Sequence, residues 1–192
     1  MIKNFIKGII IGIAKIIPGV SGSVLAISLG VYQKCINILN NFYKIKKQDF
    51  VYIFPIILGI LFGVLGFSMI LKVVYNDYYL VIMLLFTGFI VGDLQKDICV
   101  NLKKDILYYL LGIIVIISLP LFNIKPLDLN NEYFFYAALA FIEAFTMIIP
   151  GISGTAILMA FGLYDFYLSF ISSLVNPVFW INHFFEIFIY TI

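Results

Sequence analysis

The sequence contains no arginine and a single histidine, His183, among its 192 residues. Without arginine, the chain lacks the bidentate side chain that proteins use to clamp phosphate and nucleic acid. One histidine excludes a site built from several histidine ligands, and the only two cysteines, Cys35 and Cys99, are too widely spaced for a metal-ligand motif. We therefore expect no metal, no cofactor and no nucleic-acid partner.

Charged residues are also scarce, because 12 lysines and 10 acidic residues carry all the formal charge. Four stretches of 19 to 22 residues contain none, namely 50–71, 106–124, 144–164 and 166–185. About 20 apolar residues in a helix match the ~30 Å hydrocarbon core of a bilayer. Together with the 64% hydrophobic content, these stretches predict an all-α polytopic membrane protein and exclude a soluble or disordered domain.

A seven-residue motif occurs twice in the chain, at an offset of 132 residues. Residues 16–22 read Ile-Ile-Pro-Gly-Val-Ser-Gly, and residues 148–154 read Ile-Ile-Pro-Gly-Ile-Ser-Gly. The same offset matches a Gly-x-Tyr at 30–32 with another at 162–164. A match of this length, continued in register, indicates an internal duplication.

Each copy of the motif should interrupt a helix, because proline lacks an N–H, glycine is flexible, and Ser-Gly can begin a new helix. The two halves on either side of the break are too short to span a bilayer alone. We expect them at 4–17 and 22–33, and at 135–149 and 154–165. Each copy is therefore predicted to form a re-entrant hairpin, over 4–33 and 135–165, with a single kinked span as the alternative.

The distribution of lysine predicts the topology. Lysines concentrate in 1–7, 34–49 and 93–105, which the positive-inside rule places in the cytosol together with the N-terminus. Because 1–7 and 34–49 then share a side, the first copy must turn back. Spanning helices are expected at 50–74, 78–92, 106–122 and 166–190. Three crossings separate the copies, so the prediction is one transmembrane domain, 1–192, with an inverted-topology repeat of two re-entrant hairpins and about four spanning helices.

The start of the second half-helix in each copy is a candidate anion site. Its first N–H groups lack helical partners and carry partial positive charge, so phosphate is a natural ligand even without arginine. Glycines allow close backbone approach, and hydroxyl groups add donors. The candidate residues are Pro18, Gly19, Ser21, Gly22 and Ser23 in the first copy and Pro150, Gly151, Ser153, Gly154 and Thr155 in the second. The alternative is a tight turn that only packs the hairpin tips.

Two charged residues lie near the breaks. Lys15 precedes Pro18 by one turn at predicted membrane depth, where a lysine is costly and is a candidate to contact the phosphate. Its alternative role is to extend to the membrane surface. Glu143 lies two turns before the second break and is expected to carry a proton or to pair with Lys15. The alternative for Glu143 is an interfacial residue that faces the outer water.

The doubled motif, continued to Gly-Val-Tyr at 30–32 and Gly-Leu-Tyr at 162–164, resembles the PopT-type polyprenyl-phosphate transporters, a bacterial and archaeal membrane family. The resemblance implies a transporter or flippase that returns undecaprenyl phosphate, the lipid carrier of cell-wall precursors, across the bacterial cytoplasmic membrane. It also implies that the motif residues of both copies form the site. Family members continue with more helices, whereas this chain stops at Ile192, which implies a partner, a homo-oligomer or an incomplete chain.

Other functions use the same features. A small-anion transporter or channel would use the same helix ends, and a non-transporting subunit of a membrane complex would need only the fold. An intramembrane serine protease with His183 as base would require one activated serine, yet the motif occurs twice with proline in front. A lipid phosphatase would need side chains to hold the phosphoryl group, which the chain lacks. We therefore expect no enzymatic activity, and membrane lipids as the surroundings.

Overall fold

The computed structural model describes residues 1–44, 46–92, 114, 132–148, 151–182 and 187. Every regular element in these ranges is helical, which confirms the all-α class for this part of the chain. The expected span 106–122 lies outside the described residues apart from position 114, and so do Pro150 and His183.

The helices of the described residues follow one another along the chain. They are α1 Ile2–Ile16, α2 Gly22–Ser28, α3 Tyr32–Asn40, α4 Lys47–Asp77, α5 Tyr79–Gly92, α6 Glu132–Ile148, α7 Gly154–Ala160, α8 Tyr164–Ser173 and α9 Pro177–Asn182. A single 3₁₀ turn, Phe42–Lys44, leads into α4.

Helix α4 is the only described helix whose length and composition suffice to cross a membrane unaided. Its 31 residues give it a length of ~46 Å, and it contains the whole of the expected span 50–74. The Asp49 carboxylate accepts a hydrogen bond from the Lys46 N–H (3.1 Å) and so caps its start. Large apolar side chains such as Phe62 and Ile70 are exposed along it, as expected of a lipid-facing surface. Helix α5 coincides with most of the expected span 78–92 but is shorter than a full crossing.

Helices α1 and α4 pack backbone against backbone through two Gly-x-x-x-Gly pairs, Gly8 with Gly12 and Gly59 with Gly63. A Cβ added to Gly8 would lie 2.9 Å from Gly59 Cα, and one added to Gly12 would lie 3.0 Å from Val64 N. Only glycine permits such an approach, which is a common mode of helix packing in membranes. Because the contacts advance in the same direction along both helices, α1 and α4 run parallel, with their N-termini at the same end of the molecule.

Helix α2 runs back along α1. Lys7 Nζ, in the second turn of α1, donates a hydrogen bond to the Leu29 carbonyl at the end of α2 (2.6 Å). Gly22, at the start of α2, lies beside Ile11 and Lys15. The chain therefore turns back between the two helices.

The expected half-helices 22–33 and 154–165 are each divided in two, so these boundaries were wrong. Helix α2 ends at Ser28 and α7 at Ala160, and new helices begin at Tyr32 and Tyr164. Gly30 (φ +69°) and Gly162 (φ +71°) adopt the left-handed conformation that terminates helices. Between α2 and α3 the chain bends by 105°.

The two copies of the motif share their local backbone geometry at the offset of 132. Gly19 and Gly151 both have positive φ, +82° and +93°. Ser21 and Ser153 both cap the helix that follows, which has seven residues in each copy. The duplicated sequence therefore produces duplicated turns and caps.

The main hydrophobic core lies where α8 meets α4, α5 and α7. Tyr164, Tyr167 and Leu168 of α8 are almost completely buried there. The expected span 166–190 is not one continuous helix, because α8 ends at Ser173 and α9 begins at Pro177. Proline is favoured at a first helical position and cannot continue a preceding helix.

Candidate functional site

A cavity of about 350 Å³ lies between the two breaks. Residues from α1, α2, α3, α4, α6 and α7 line it. It contains eight of the residues singled out in the sequence: Lys15, Ser21, Gly22, Ser23, Glu143, Ser153, Gly154 and Thr155. The fold thus brings residues from both copies, more than 100 positions apart in the chain, to one place.

An ion pair joins the two copies inside this cavity. Lys15 Nζ lies 2.6 Å from Glu143 Oε2, so the last turn of α1 is tied to α6. Glu143 is 4% exposed, which is inconsistent with an interfacial glutamate facing water. Two roles were expected for Glu143. The structure shows the pairing with Lys15, and the role of proton carrier stays a prediction. Burial makes the pairing important, because a charge in a low-dielectric site is costly unless an opposite charge compensates it.

The second carboxylate oxygen of Glu143 is buried in the same cavity. Oε1 has no hydrogen-bond partner among the described residues. It faces Gly154 so closely that a Cβ added there would lie 2.8 Å from it. The Thr146 hydroxyl, which also lies against Gly154, donates to the Glu143 backbone carbonyl (3.1 Å). Such an oxygen is costly to bury and is characteristic of functional sites, since a proton or a ligand donor would satisfy it.

Each break also contributes a pair of hydroxyl groups. Ser21 Oγ and Ser23 Oγ are 2.9 Å apart, and Ser153 Oγ and Thr155 Oγ1 are 3.2 Å apart. The serine of each pair accepts a hydrogen bond from a backbone N–H of its own helix, at Val24 or Ala156. Since a hydroxyl can rotate, each pair can turn a donor towards an anion in the cavity. These helices have only two turns, so Lys15 is the main source of positive charge.

Pro18 and Gly19 contribute to packing and do not line the cavity. Pro18 is fully buried. Gly19 lies against α5, where an added Cβ would come within 2.8 Å of Ile90 N and 3.1 Å of Phe89 C. The first break therefore docks on the backbone of α5. Gly151 likewise does not line the cavity, and a direct role for these three residues in binding stays a prediction.

Tyr164 is a residue whose role the sequence analysis missed. Its hydroxyl donates a buried hydrogen bond to the Ile16 carbonyl (2.9 Å), at the end of α1. Carbonyls in the last turn of a helix lack helical partners, so the second copy supplies a partner to the first. The recurring Gly-x-Tyr was the signal that pointed to this tyrosine, although its partner depends on the tertiary fold.

The other lining residues are mostly apolar, with hydroxyl groups at Tyr32 and Thr146, and seven of them form what we call the apolar arm. It comprises side chains from α2, α3, α4 and the bend between α2 and α3: Ala26, Val31, Cys35, Ile36, Leu39, Ile56 and Ile60. Leu39, near the end of α3, is 61% exposed, so the arm reaches the surface there. The cavity is therefore polar at the ion pair and apolar along the arm.

The family match and the two relatives described here all concern proteins named for polyprenyl phosphates. A family described as undecaprenyl phosphate translocase-like matches residues 1–106 and 97–189. The polyprenyl-phosphate transporter of Vibrio cholerae serotype O1 is 28% identical over 180 residues, which cover 85% of this chain and 58% of that protein. The polyprenyl-phosphate transporter of Staphylococcus aureus is 27% identical over 174 residues, covering 82% and 61%. The chain thus spans about three fifths of the length of these relatives. No solved structure matches.

Proposed function

Because the chain belongs to the undecaprenyl phosphate translocase-like family, we propose that it transports a polyprenyl phosphate, such as undecaprenyl phosphate, across the bacterial cytoplasmic membrane. The observation that carries this proposal is the cavity with Lys15 at its polar end and an apolar arm at the other. An amphiphilic lipid with one anionic head needs both. The names of the two relatives support the same substrate class.

The phosphate head would bind at Lys15. A phosphate offers several acceptor oxygens, which match the lysine ammonium, the hydroxyl pairs of the two breaks and the free N–H groups of their backbones. In the structure the Glu143 carboxylate holds Lys15. An incoming phosphate would therefore replace Glu143 on Lys15, and the displaced carboxylate would take up a proton to remain buried without a partner. This sequence of events would couple head binding to a proton.

The proposed topology is the inverted repeat with two re-entrant hairpins. The antiparallel α1–α2 pair and the parallel α1–α4 pair support the first hairpin, since they put residues 1–7 and the start of α4 at one end. Both segments carry lysines, so that end would be cytosolic. The matching turns at the offset of 132 support the second hairpin. Alternating access would then rock one copy against the other, opening and closing the cavity between them.

The decisive experiment compares Lys15→Gln with Lys3→Gln. Both lie on α1, but Lys3 is exposed near its start and does not line the cavity, so it controls for the loss of one charge. The proteins would be reconstituted in liposomes with a fluorescent polyprenyl phosphate in one leaflet. We expect Lys15→Gln to lower the rate of translocation at least about tenfold, since a charge-assisted hydrogen bond contributes about 1.5–3 kcal/mol, and Lys3→Gln to stay near the parent rate.

Translocation by Lys15→Gln at the parent rate would refute the head site. Competition by inorganic phosphate as strong as that by unlabelled polyprenyl phosphate would instead favour a small-anion transporter. The two results differ, so the substrate class and the site are tested separately.

A further inference from the structure

We propose that the apolar arm binds the isoprene units next to the phosphate, so that the head and the first part of the prenyl chain occupy one continuous cavity. This inference rests on the proposed function and adds the location of the lipid's prenyl chain. It also adds the residues that would distinguish a prenyl phosphate from a phosphate without a chain.

The cavity is continuous from the ion pair to the apolar arm. Lys15 and Cys35 line the same space, so a phosphate at Lys15 has an apolar channel directly beside it. A volume of about 350 Å³ is at the lower end of the range for ligand sites, about 300–1,000 Å³. It is too small for a whole polyprenyl lipid. Only the head and the adjoining isoprene units fit, and the rest of the chain would leave at the exposed end of α3, near Leu39.

The two copies differ at two positions of the arm. At the offset of 132, Ala26 corresponds to Leu158 and Cys35 to Tyr167. Leu158 is 0% exposed and Tyr167 is 1% exposed, and both belong to the main core. At these two positions the second copy has large buried side chains, whereas the first copy has small ones that leave space. Among the described residues, these two positions are therefore open in the first copy and filled in the second, which favours a binding role for the arm over a feature common to both copies.

Two contacts hold the walls of the arm in place. Lys34 Nζ lies 3.7 Å from the centre of the Tyr52 ring, a cation–π contact that ties α3 to α4. Lys7 Nζ, bonded to the Leu29 carbonyl, ties the end of α2 to α1. Both ends of the bend are therefore anchored, so the space between them is part of the folded structure and available before a ligand arrives.

Cys35 provides a direct test, because in a Cys99→Ser background it is the only thiol in the chain. The full chain in nanodiscs would be treated with a maleimide, alone or with saturating farnesyl phosphate or inorganic phosphate. Binding of farnesyl phosphate would be measured separately by competition with the fluorescent lipid. We expect farnesyl phosphate to slow the alkylation of Cys35 at least about fivefold and inorganic phosphate to leave it unchanged.

A second test fills the arm with the residue of the other copy, by Ala26→Leu. Val24→Leu is the matched control, since Val24 is on the same helix, is 43% exposed and does not line the cavity. We expect Ala26→Leu to raise the dissociation constant of farnesyl phosphate at least about tenfold. The larger side chain would displace part of the isoprene chain, and each methylene group that loses its burial raises the dissociation constant about fourfold. Binding of inorganic phosphate should not change in either variant.

The outcomes separate this inference from the function on which it rests. Unprotected Cys35 under saturating farnesyl phosphate would overturn the inference, and so would parent-like binding by a folded Ala26→Leu. If Lys15→Gln abolished binding in the same series, the head site would still stand. If the parent bound no farnesyl phosphate and no polyprenyl phosphate, both proposals would fall. Should Ala26→Leu not fold, the alkylation of Cys35 in the unaltered arm decides alone.

Discussion

Gly22 and Gly154 occupy equivalent positions in the two copies, yet an added methyl group would have opposite effects at them. Each is the first residue of the helix after its break. A Cβ on Gly22 would meet its nearest neighbours, Ile11 O and Lys15 Cβ, at 3.6 and 3.7 Å, which is ordinary contact. A Cβ on Gly154 would lie 2.8 Å from Glu143 Oε1 and would overlap with the Thr146 hydroxyl.

The size of the effect follows from these distances. Non-bonded atoms settle near about 3.5 Å, so the Glu143 oxygen would have to retreat by about 0.7 Å and strain its bond to Lys15. Overpacking of this kind costs about 1–3 kcal/mol. The loss of glycine flexibility favours both variants equally, by up to about 1 kcal/mol. We therefore expect Gly154→Ala to be about 2 kcal/mol less stable than Gly22→Ala, or about 4–8 °C lower in Tm for a chain of this length.

Thermal unfolding in detergent measures the difference in stability, and the liposome assay measures translocation. Gly154→Ala should translocate the lipid more slowly than Gly22→Ala, because only the Gly154 variant displaces the Glu143 carboxylate. Adding Thr146→Ala to Gly154→Ala removes the overlapping hydroxyl and should restore part of the stability. Equal stability and equal transport in the two single variants would refute the close packing of Gly154 against Glu143.

Three further predictions concern other contacts. Tyr164→Phe removes the buried hydrogen bond to the end of α1 and should lower the free energy of unfolding by about 1–3 kcal/mol, measured by denaturation, while Tyr78→Phe at an exposed position should have no effect. Glu143→Gln keeps the shape of the side chain but removes the negative charge that compensates Lys15, so it should lower the Tm measured in detergent; an unchanged Tm would exclude a stabilising role for the ion pair. Gly63→Ala forces a methyl group into the backbone of α1 and should destabilise the protein by at least about 1 kcal/mol, whereas Gly66→Ala, which would contact no described residue, should not.

The duplicated motif made the breaks predictable. Helix α1 ends at Ile16 and α6 at Ile148, one residue from the expected ends at 17 and 149. Proline and glycine interrupt a helix through local backbone effects, so the breaks can be located from the sequence alone. Lys15 and Glu143 could be singled out because charges are rare in apolar segments, and their pairing could be expected as one alternative.

Other features depended on tertiary contacts. The ends of α2 and α7 were missed because their apolar sequences continue past Gly30 and Gly162, although a glycine that can adopt positive φ was a visible signal. The glycine spacing in α1 and α4 is visible in the sequence, but nothing local says which helix packs against which. The apolar arm arises because the bend between α2 and α3 borders the cavity, whereas the equivalent bend between α7 and α8 lies in the main core. Periodicity cannot distinguish these surroundings.

The ion pair has a consequence for the number of ligands per chain. At the offset of 132, Lys15 corresponds to Met147 and Glu143 to Ile11, so each copy supplies one charge of the pair and neither supplies both. Within the described part of the cavity, the duplicated backbone therefore carries one ion pair that is not itself duplicated. A transport cycle built on it, as proposed, would have a stoichiometry of one phosphate head per chain and no more than one proton at Glu143.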